Sequence, residues 1–292
     1  MYSLSECNPA VAAVCLLSAA GIAMFCMNPV ILALSLAGAV CFFLVRNGAG
    51  GGKSHLFFCL LFAVLALVNP LVSHNGVTVL FVLNHRPVTL EALLYGMAAA
   101  AAVVSALYWF RSFSQLMTGD RLLYLFGRLS PRLALVLSMA FRFVPLFSRQ
   151  AKKIRQAQRA LGRLREGNIA ETFRGNVRVF SILLTWALEN GIVTADSMAA
   201  RGYGVGRRTQ FSVFRFRRGD AVLLALTLLF FGGACVSLAC GALDMVYYPA
   251  LVFPECTPLA LAGYLCYGLL AFLPSLAQGW EVLRWSCLRS RI

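Results

Sequence analysis

An arginine near residue 200, flanked by small residues, is the feature of the sequence best suited to specific binding of a partner. A helical pattern over 192–202 ends in Ala199, Ala200, Arg201 and Gly202. Alanine and glycine let a partner's backbone approach closely, and a guanidinium offers five donors in a rigid fork that suits carboxylates or carbonyl oxygens. Gly202 is also a residue type that ends helices. The pattern predicts a helix tip that enters a partner's pocket. The alternative is an ordinary helix end at which the dipole favours Arg201.

A second candidate is the basic segment 150–165. Its apolar residues recur at spacings of three and four, which gives one stripe along a helix: Ile154, Ala157, Leu161 and Leu164. Basic residues cover the remaining faces: Lys152, Lys153, Arg155, Arg159 and Arg163. Such a helix either lies on anionic lipid head groups or docks into a groove on a soluble partner. The pattern alone favours neither.

Arg142 and Pro145 lie just upstream, within the apolar run 140–145. A charge at membrane depth is costly and usually functional, although a long side chain next to the interface can also snorkel to water. Proline in a helix interior removes a hydrogen bond, so we expect a kink at Pro145.

No catalytic, cofactor or metal site is expected. The loop 47–54 nearly matches a phosphate-binding P-loop, but Asn47 stands where the pattern requires glycine, and that motif needs a preceding strand. We interpret the loop as a flexible turn. None of the ten cysteines forms a C-x-x-C pair, and the three histidines have no ligand spacing.

Composition points to a membrane protein, because 60% of the 292 residues are apolar and only 13% are charged. The net charge of +15 is compatible with nucleic-acid binding. Apolar spans surround the charge, however, and cytoplasmic loops of membrane proteins collect Lys and Arg. We therefore expect the lipid bilayer, and no nucleic acid, among the partners.

The expected fold is all-α, with about six transmembrane helices and long cytoplasmic coupling helices. Stretches of about 20 apolar residues predict the spans 9–27, 29–45, 55–73, 90–110, 221–240 and 257–276. The apolar piece 77–83 is too short to cross and is interpreted as interfacial or re-entrant. Two further apolar helical pieces lie at 131–147 and 179–188. Neither of them is both long and free of charge.

Three sections follow from this pattern: transmembrane helices in 1–110, a basic coupling section in 111–218 and transmembrane helices in 219–292. Basic residues in short loops, chiefly Arg46, Lys53 and Arg111, predict that both termini are cytoplasmic.

The run 195–203, followed by Arg207, Arg208 and Thr209, closely resembles the signature of the transmembrane (T) component of energy-coupling factor importers, the EcfT/CbiQ family. The runs 84–93, 141–146 and 157–162 resemble the same family more moderately. These importers are prokaryotic ABC systems for vitamins and metal ions.

The resemblance implies a non-catalytic scaffold in the cell membrane, without a cofactor of its own. Its partners would be two ABC ATPase subunits and one substrate-binding membrane (S) subunit, which sets the cargo. Two cytoplasmic helices would insert their ends into grooves on the ATPases. The implied contact residues are Ala200, Arg201 and Gly202 in one helix and Ala157, Gln158, Arg159 and Gly162 in the other, with a hinge at Arg142 and Pro145.

One position departs from the family's pattern. Its first motif usually ends Ala-Arg-Gly, whereas this chain has Ala160, Leu161 and Gly162. Arg159 or Arg163 could substitute, and Arg201 remains the principal expected contact. Two other functions fit the composition: an independent membrane carrier or enzyme, and a membrane anchor with a basic section that binds lipid or nucleic acid.

Overall fold

A computed structural model describes residues 7–72, 76–83, 86–162, 169–206, 214, 216–248, 251–252, 254 and 257–289. Within these residues there are nine α-helices and one hairpin: α1 (Pro9–Phe25), α2 (Pro29–Asn47), α3 (Gly52–Val72), β1 (Val79–Leu83), β2 (Arg86–Thr89), α4 (Leu90–Leu116), α5 (Gly119–Leu129), α6 (Pro131–Ala160), α7 (Ile169–Ala200), α8 (Arg218–Ala239) and α9 (Pro258–Arg289). The chain divides into two compact units. Residues 1–118 and 214–292 form a six-helix unit, and residues 119–213 form a three-helix unit.

Two Asn-Pro pairs set the starts of α1 and α2. Asn8 and Asn28 each accept a hydrogen bond through the side-chain oxygen, from Ala10 N at 3.1 Å and Val30 N at 2.9 Å respectively. The proline that follows each asparagine occupies the first turn, where it has no helical hydrogen bond to lose. The break between the predicted spans 9–27 and 29–45 is confirmed.

The six-helix unit is packed around α4 and α9. Helix α4 contacts α1, α2 and α3, whereas α9 contacts α1, α2 and α8. Glycines allow the closest approaches: a Cβ on Gly38 would lie 2.8 Å from the Ala271 carbonyl oxygen, and one on Gly96 would lie 2.9 Å from that of Ala66. Small residues at helix contacts are typical of membrane proteins, where close packing replaces the hydrophobic drive.

Polar contacts fix which helix ends lie together. At one end, Asn8 N donates to the buried carboxylate of Asp220 at 3.3 Å, so α1 and α8 begin side by side. At the other end, the Tyr247 hydroxyl donates to Met27 O at 2.7 Å, and Asn28 Nδ2 donates to Leu243 O at 3.0 Å. Such groups must find partners within the protein because lipid offers none.

Two expectations about this unit need adjustment. The piece 77–83 contains β1, which pairs antiparallel with β2 in a two-stranded hairpin before α4. Its valines favour an extended backbone, a signal that the length argument overlooked. Helices α4 and α9 also run past their predicted ends, to Leu116 and Arg289. The loop 47–54 lies between two helices, as a 3₁₀ turn over Gly48–Gly51 and the start of α3.

The three-helix unit corrects the expected lengths of two apolar pieces. The piece 131–147 is part of α6, which has 30 residues, and 179–188 is part of α7, which has 32. Most charged residues of α6 lie in its second half, and residues 179–188 of α7 carry no charge, so each helix contains a long window with few charges. Seven described helices are long and apolar enough to cross a membrane: α2, α3, α4, α6, α7, α8 and α9. Helix α1, with 17 residues, is shorter.

Candidate functional site: two exposed helix ends

Helix α7 ends at the arginine motif. Gly202 N donates to Ala199 O at 3.0 Å and Tyr203 N donates to Met198 O at 3.0 Å, which satisfies carbonyls of the last turn. Gly202 has a φ of 75°, a left-handed conformation that favours glycine. The prediction that Gly202 ends this helix is confirmed.

The side chains at this end face solvent. Ala200, Arg201 and Gly202 are all exposed. Over the last turns of α7, from residue 189 to 201, the sequence contains two acidic residues and Arg201 as the single basic one. The end of α7 is therefore nearly neutral, with one guanidinium held on a helix that is about 48 Å long.

Helix α6 ends with the same backbone pattern but with different chemistry. Leu161 N donates to Ala157 O at 3.0 Å, and Gly162 N donates to Arg159 O at 2.9 Å. Gly162 has a φ of 66°, close to that of Gly202. Leu161 precedes this glycine as Arg201 precedes Gly202, and it is 67% exposed.

The predicted contact residues of α6 lie on different faces. Ala157, Arg159 and Gly162 are exposed, whereas the side chain of Gln158 is 9% exposed. Its Oε1 is buried and has no hydrogen-bond partner among the described residues. Of the predicted set, Gln158 is thus turned into the three-helix unit. Arg163, Leu164, Arg207, Arg208 and Thr209 lie outside the described residues.

Helices α6 and α7 meet near their middles. Phe147 of α6 and Trp186 of α7 pack edge to face with ring centroids 5.8 Å apart, and Phe143 stacks on Phe147 at 5.6 Å. Pro145 lies beside this contact, inside a helix that continues through it, and Arg142 is exposed one turn earlier. From the contact, α6 extends about 21 Å to Leu161, and α7 extends about 22 Å to Arg201.

The two ends are far apart because of the chain connection. The end of α6 leads through a short segment into the start of α7, and α7 carries its own end about 48 Å away from that start. The ends can therefore contact two separate sites on partner molecules.

One long-range hydrogen bond of the six-helix unit was not predicted. In the sequence analysis Arg46 indicated only which side of the membrane is cytoplasmic. In the structure its Nη2 donates to Gln115 O at 3.1 Å. This carbonyl lies in the last turn of α4, where the helix dipole favours a cation. No local pattern could reveal a contact between residues so far apart in sequence.

Fold and site together define a multi-pass α-helical membrane protein with a separate unit of long helices that expose two capped ends. A family model described as "Cobalt transport protein", CbiQ, matches residues 2–213. Because this match covers most of the chain, the chain belongs to the CbiQ family of membrane transport proteins.

Curated relatives are similar over part of the chain. The "Energy-coupling factor transporter transmembrane protein EcfT 1" of Listeria monocytogenes serotype 1/2a (strain 08-5578) is 34% identical over 106 residues, which is 36% of this chain and 40% of that protein. Proteins named EcfT in Lacticaseibacillus paracasei (strain ATCC 334) and Lactobacillus helveticus (strain DPC 4571) are 40% identical over 92 residues and 32% identical over 102 residues. These cover 31% and 34% of this chain and 35% and 37% of those proteins. The matches thus span about two fifths of the relatives' length or less.

Proposed function

We propose that this chain is the transmembrane coupling component of an energy-coupling factor importer. It is a non-catalytic scaffold between a substrate-binding membrane subunit and two ABC ATPase subunits, and ATP hydrolysis takes place in those partner chains. The cargo is a vitamin or a metal ion that the substrate-binding subunit selects. Family membership and the names of the relatives support this class of function.

The observation that carries the proposal is the end of α7. Arg201 is exposed beyond the last turn, flanked by Ala200 and Gly202, and the capped backbone keeps the helix intact up to that point. A guanidinium on a rigid rod can form several charge-assisted hydrogen bonds at once inside a pocket. The small neighbours remove the steric obstacle to its entry.

The arrangement of α6 and α7 suits a lever. On ATP binding, the two ATPase subunits close and displace the helix ends docked in their grooves. Since α6 and α7 touch at Phe147 and Trp186, displacement of one end is passed to the other helix. Movement of this pair then reorients the substrate-binding subunit and releases its cargo on the inner side.

In this proposal both termini and the three-helix unit face the cytoplasm. The hydrogen bond between Asn8 and Asp220 supports a common side for the starts of α1 and α8. Arg46 in the last turn of α2 and Lys53 in the first turn of α3 support the cytoplasm as that side by the positive-inside rule.

Arg201→Glu tests the proposed function. The substitution removes charge-assisted hydrogen bonds, worth about 1.5–3 kcal/mol, and adds repulsion, so we expect affinity for the cognate ATPase pair to fall at least about tenfold. Uptake should fall with it. The matched control is Arg174→Glu, which changes an exposed arginine near the start of the same helix.

Co-purification from membranes and uptake in cells are the measurements. Assembly and uptake at wild-type levels with Arg201→Glu would contradict the proposal. Uptake by this chain alone, in vesicles without any ATPase, would instead favour an independent carrier.

A further inference from the structure

The two exposed helix ends share a backbone geometry but offer opposite chemistry to a partner. We propose that the end of α6 docks by burying Leu161 in an apolar pocket with an acidic rim on one ATPase subunit, whereas the end of α7 docks through a hydrogen-bonded guanidinium. This inference rests on the proposed function, because it takes the ATPase pair as the partner.

The equivalence of Leu161 and Arg201 follows from the backbone. Each directly precedes a glycine of positive φ, 66° at Gly162 and 75° at Gly202. In each case the glycine N–H donates to the carbonyl three residues earlier, at 2.9 Å and 3.0 Å. A partner groove that receives both ends in the same way therefore meets an isobutyl group in one and a guanidinium in the other.

Arg159 does not take the place of the missing arginine. It lies two positions before Leu161, and side chains two apart on a helix point to different faces. Among the residues that the structure describes up to Gly162, the end of α6 thus presents Leu161 itself, and burying this leucine, which is 67% exposed, is the main apolar gain there.

Charge complementarity defines the rim of the pocket. From residue 149 to 161, α6 and its end carry five basic residues and no acidic one: Arg149, Lys152, Lys153, Arg155 and Arg159. Lys152, Lys153 and Arg155 are exposed. A groove for this end needs carboxylates around its mouth, unlike a groove for the nearly neutral end of α7.

The burial of part of the apolar stripe of α6 argues against a lipid surface as the binding partner of this helix end. A helix that lies on a membrane buries a continuous apolar stripe in the lipid. Of the stripe members that the structure describes, Ile154 is 8% exposed, and only Ala157 and Leu161, in the last turn, are exposed. The exposed part of the stripe is therefore confined to the end of α6, which fits a pocket better than a flat membrane surface.

Binding of the full chain to the purified ATPase pair tests this inference, with the chain in lipid nanodiscs and in detergent, at low and high salt. We expect Leu161→Ala to weaken binding roughly tenfold at both salt concentrations. Leu161→Met should stay near wild type, because it keeps an apolar side chain of similar volume. Leu188→Ala, at a leucine of α7 that is 63% exposed, is the matched control.

Two further variants separate the pocket from its rim. The double change Lys152→Glu with Lys153→Glu should weaken binding strongly at low salt and much less at high salt, since exposed charges are screened. Leu161→Arg should weaken binding at least as much as Leu161→Ala, because an apolar pocket offers a buried guanidinium no partner.

Each contrary result has a distinct meaning. Tighter binding by Leu161→Arg would overturn the inference and show a groove built for arginine. An effect of Leu161→Ala that disappears in detergent would identify lipid as the occupant and overturn it too. If Leu161→Ala matches Leu188→Ala while Arg201→Glu still disrupts binding, the inference fails and the proposed function stands. If Arg201→Glu also has no effect, both fail.

Discussion

Glu91 is a carboxylate buried at the start of α4, where it anchors the segment before the hairpin. It is 3% exposed, and its Oε1 accepts from the Thr78 hydroxyl at 2.6 Å and from Thr78 N at 3.2 Å. Leu90 N donates back to Thr78 O at 3.0 Å. The segment is thereby held across the first turn of α4, where the helix dipole favours a negative charge.

Gly76 lies against the side chains of Glu91 and Thr89, so a substitution there would disturb the start of α4. It has a φ of 145°, and a Cβ there would lie 2.7 Å from Thr89 Oγ1 and 2.8 Å from Thr89 Cβ. We expect Gly76→Ala to lower the free energy of unfolding by about 1–3 kcal/mol, through backbone strain and the clash. Thermal unfolding of the purified protein in detergent measures this.

Gly21→Ala is the control for that prediction, because a Cβ at Gly21 meets nothing within 4 Å and the residue lies inside α1. It should be neutral or slightly stabilising. Equal unfolding temperatures for Gly76→Ala and wild type would contradict the backbone strain and the clash expected at Gly76.

At the scale of elements, the helix ends carry the proposed docking function, so their caps should matter for binding. Gly202→Ala places a Cβ at a φ of 75° and should cost about 1 kcal/mol, fraying the last turn of α7. We expect affinity for the ATPase pair to fall a few-fold, and amide hydrogen exchange of residues 197–203 to accelerate.

Gly191→Ala, in the interior of the same helix, is the matched control. A Cβ there meets nothing within 4 Å, and alanine is the better helix former, so exchange should slow or stay unchanged. If Gly202→Ala left both exchange and affinity unaltered, the cap would have no part in docking.

Local signals predicted some elements well, and long-range packing decided the rest. The break between the spans 9–27 and 29–45 and the helix end at Gly202 were predicted from residue types whose backbone chemistry needs no tertiary context. The length of α7 could not be read in this way, because charged residues flank its apolar middle and hide a continuous helix. The burial of Gln158 depends on how the three-helix unit packs, which the helical period alone does not determine.

At the scale of the whole molecule, the route of α6 and α7 distinguishes two arrangements: both helices on the cytoplasmic side, as proposed, or both across the membrane. Both are long and apolar enough to cross a membrane, although they are less apolar than the long helices of the six-helix unit. If both crossed, Arg201 would return to the side on which α6 begins, but Gly162 would lie on the opposite side. The two arrangements thus share the sidedness of Arg201 and differ at the end of α6.

A protease site inserted directly after Gly162 tests the central claim that both helix ends serve partners in the cytoplasm. Inside-out and right-side-out vesicles are digested in parallel, and a second site after Ile292 reports the side of the C-terminal end, which the proposed function also places in the cytoplasm. We expect cleavage after Gly162 in inside-out vesicles and protection in right-side-out vesicles. Cleavage after Gly162 in right-side-out vesicles, with protection in inside-out vesicles, would contradict the central claim.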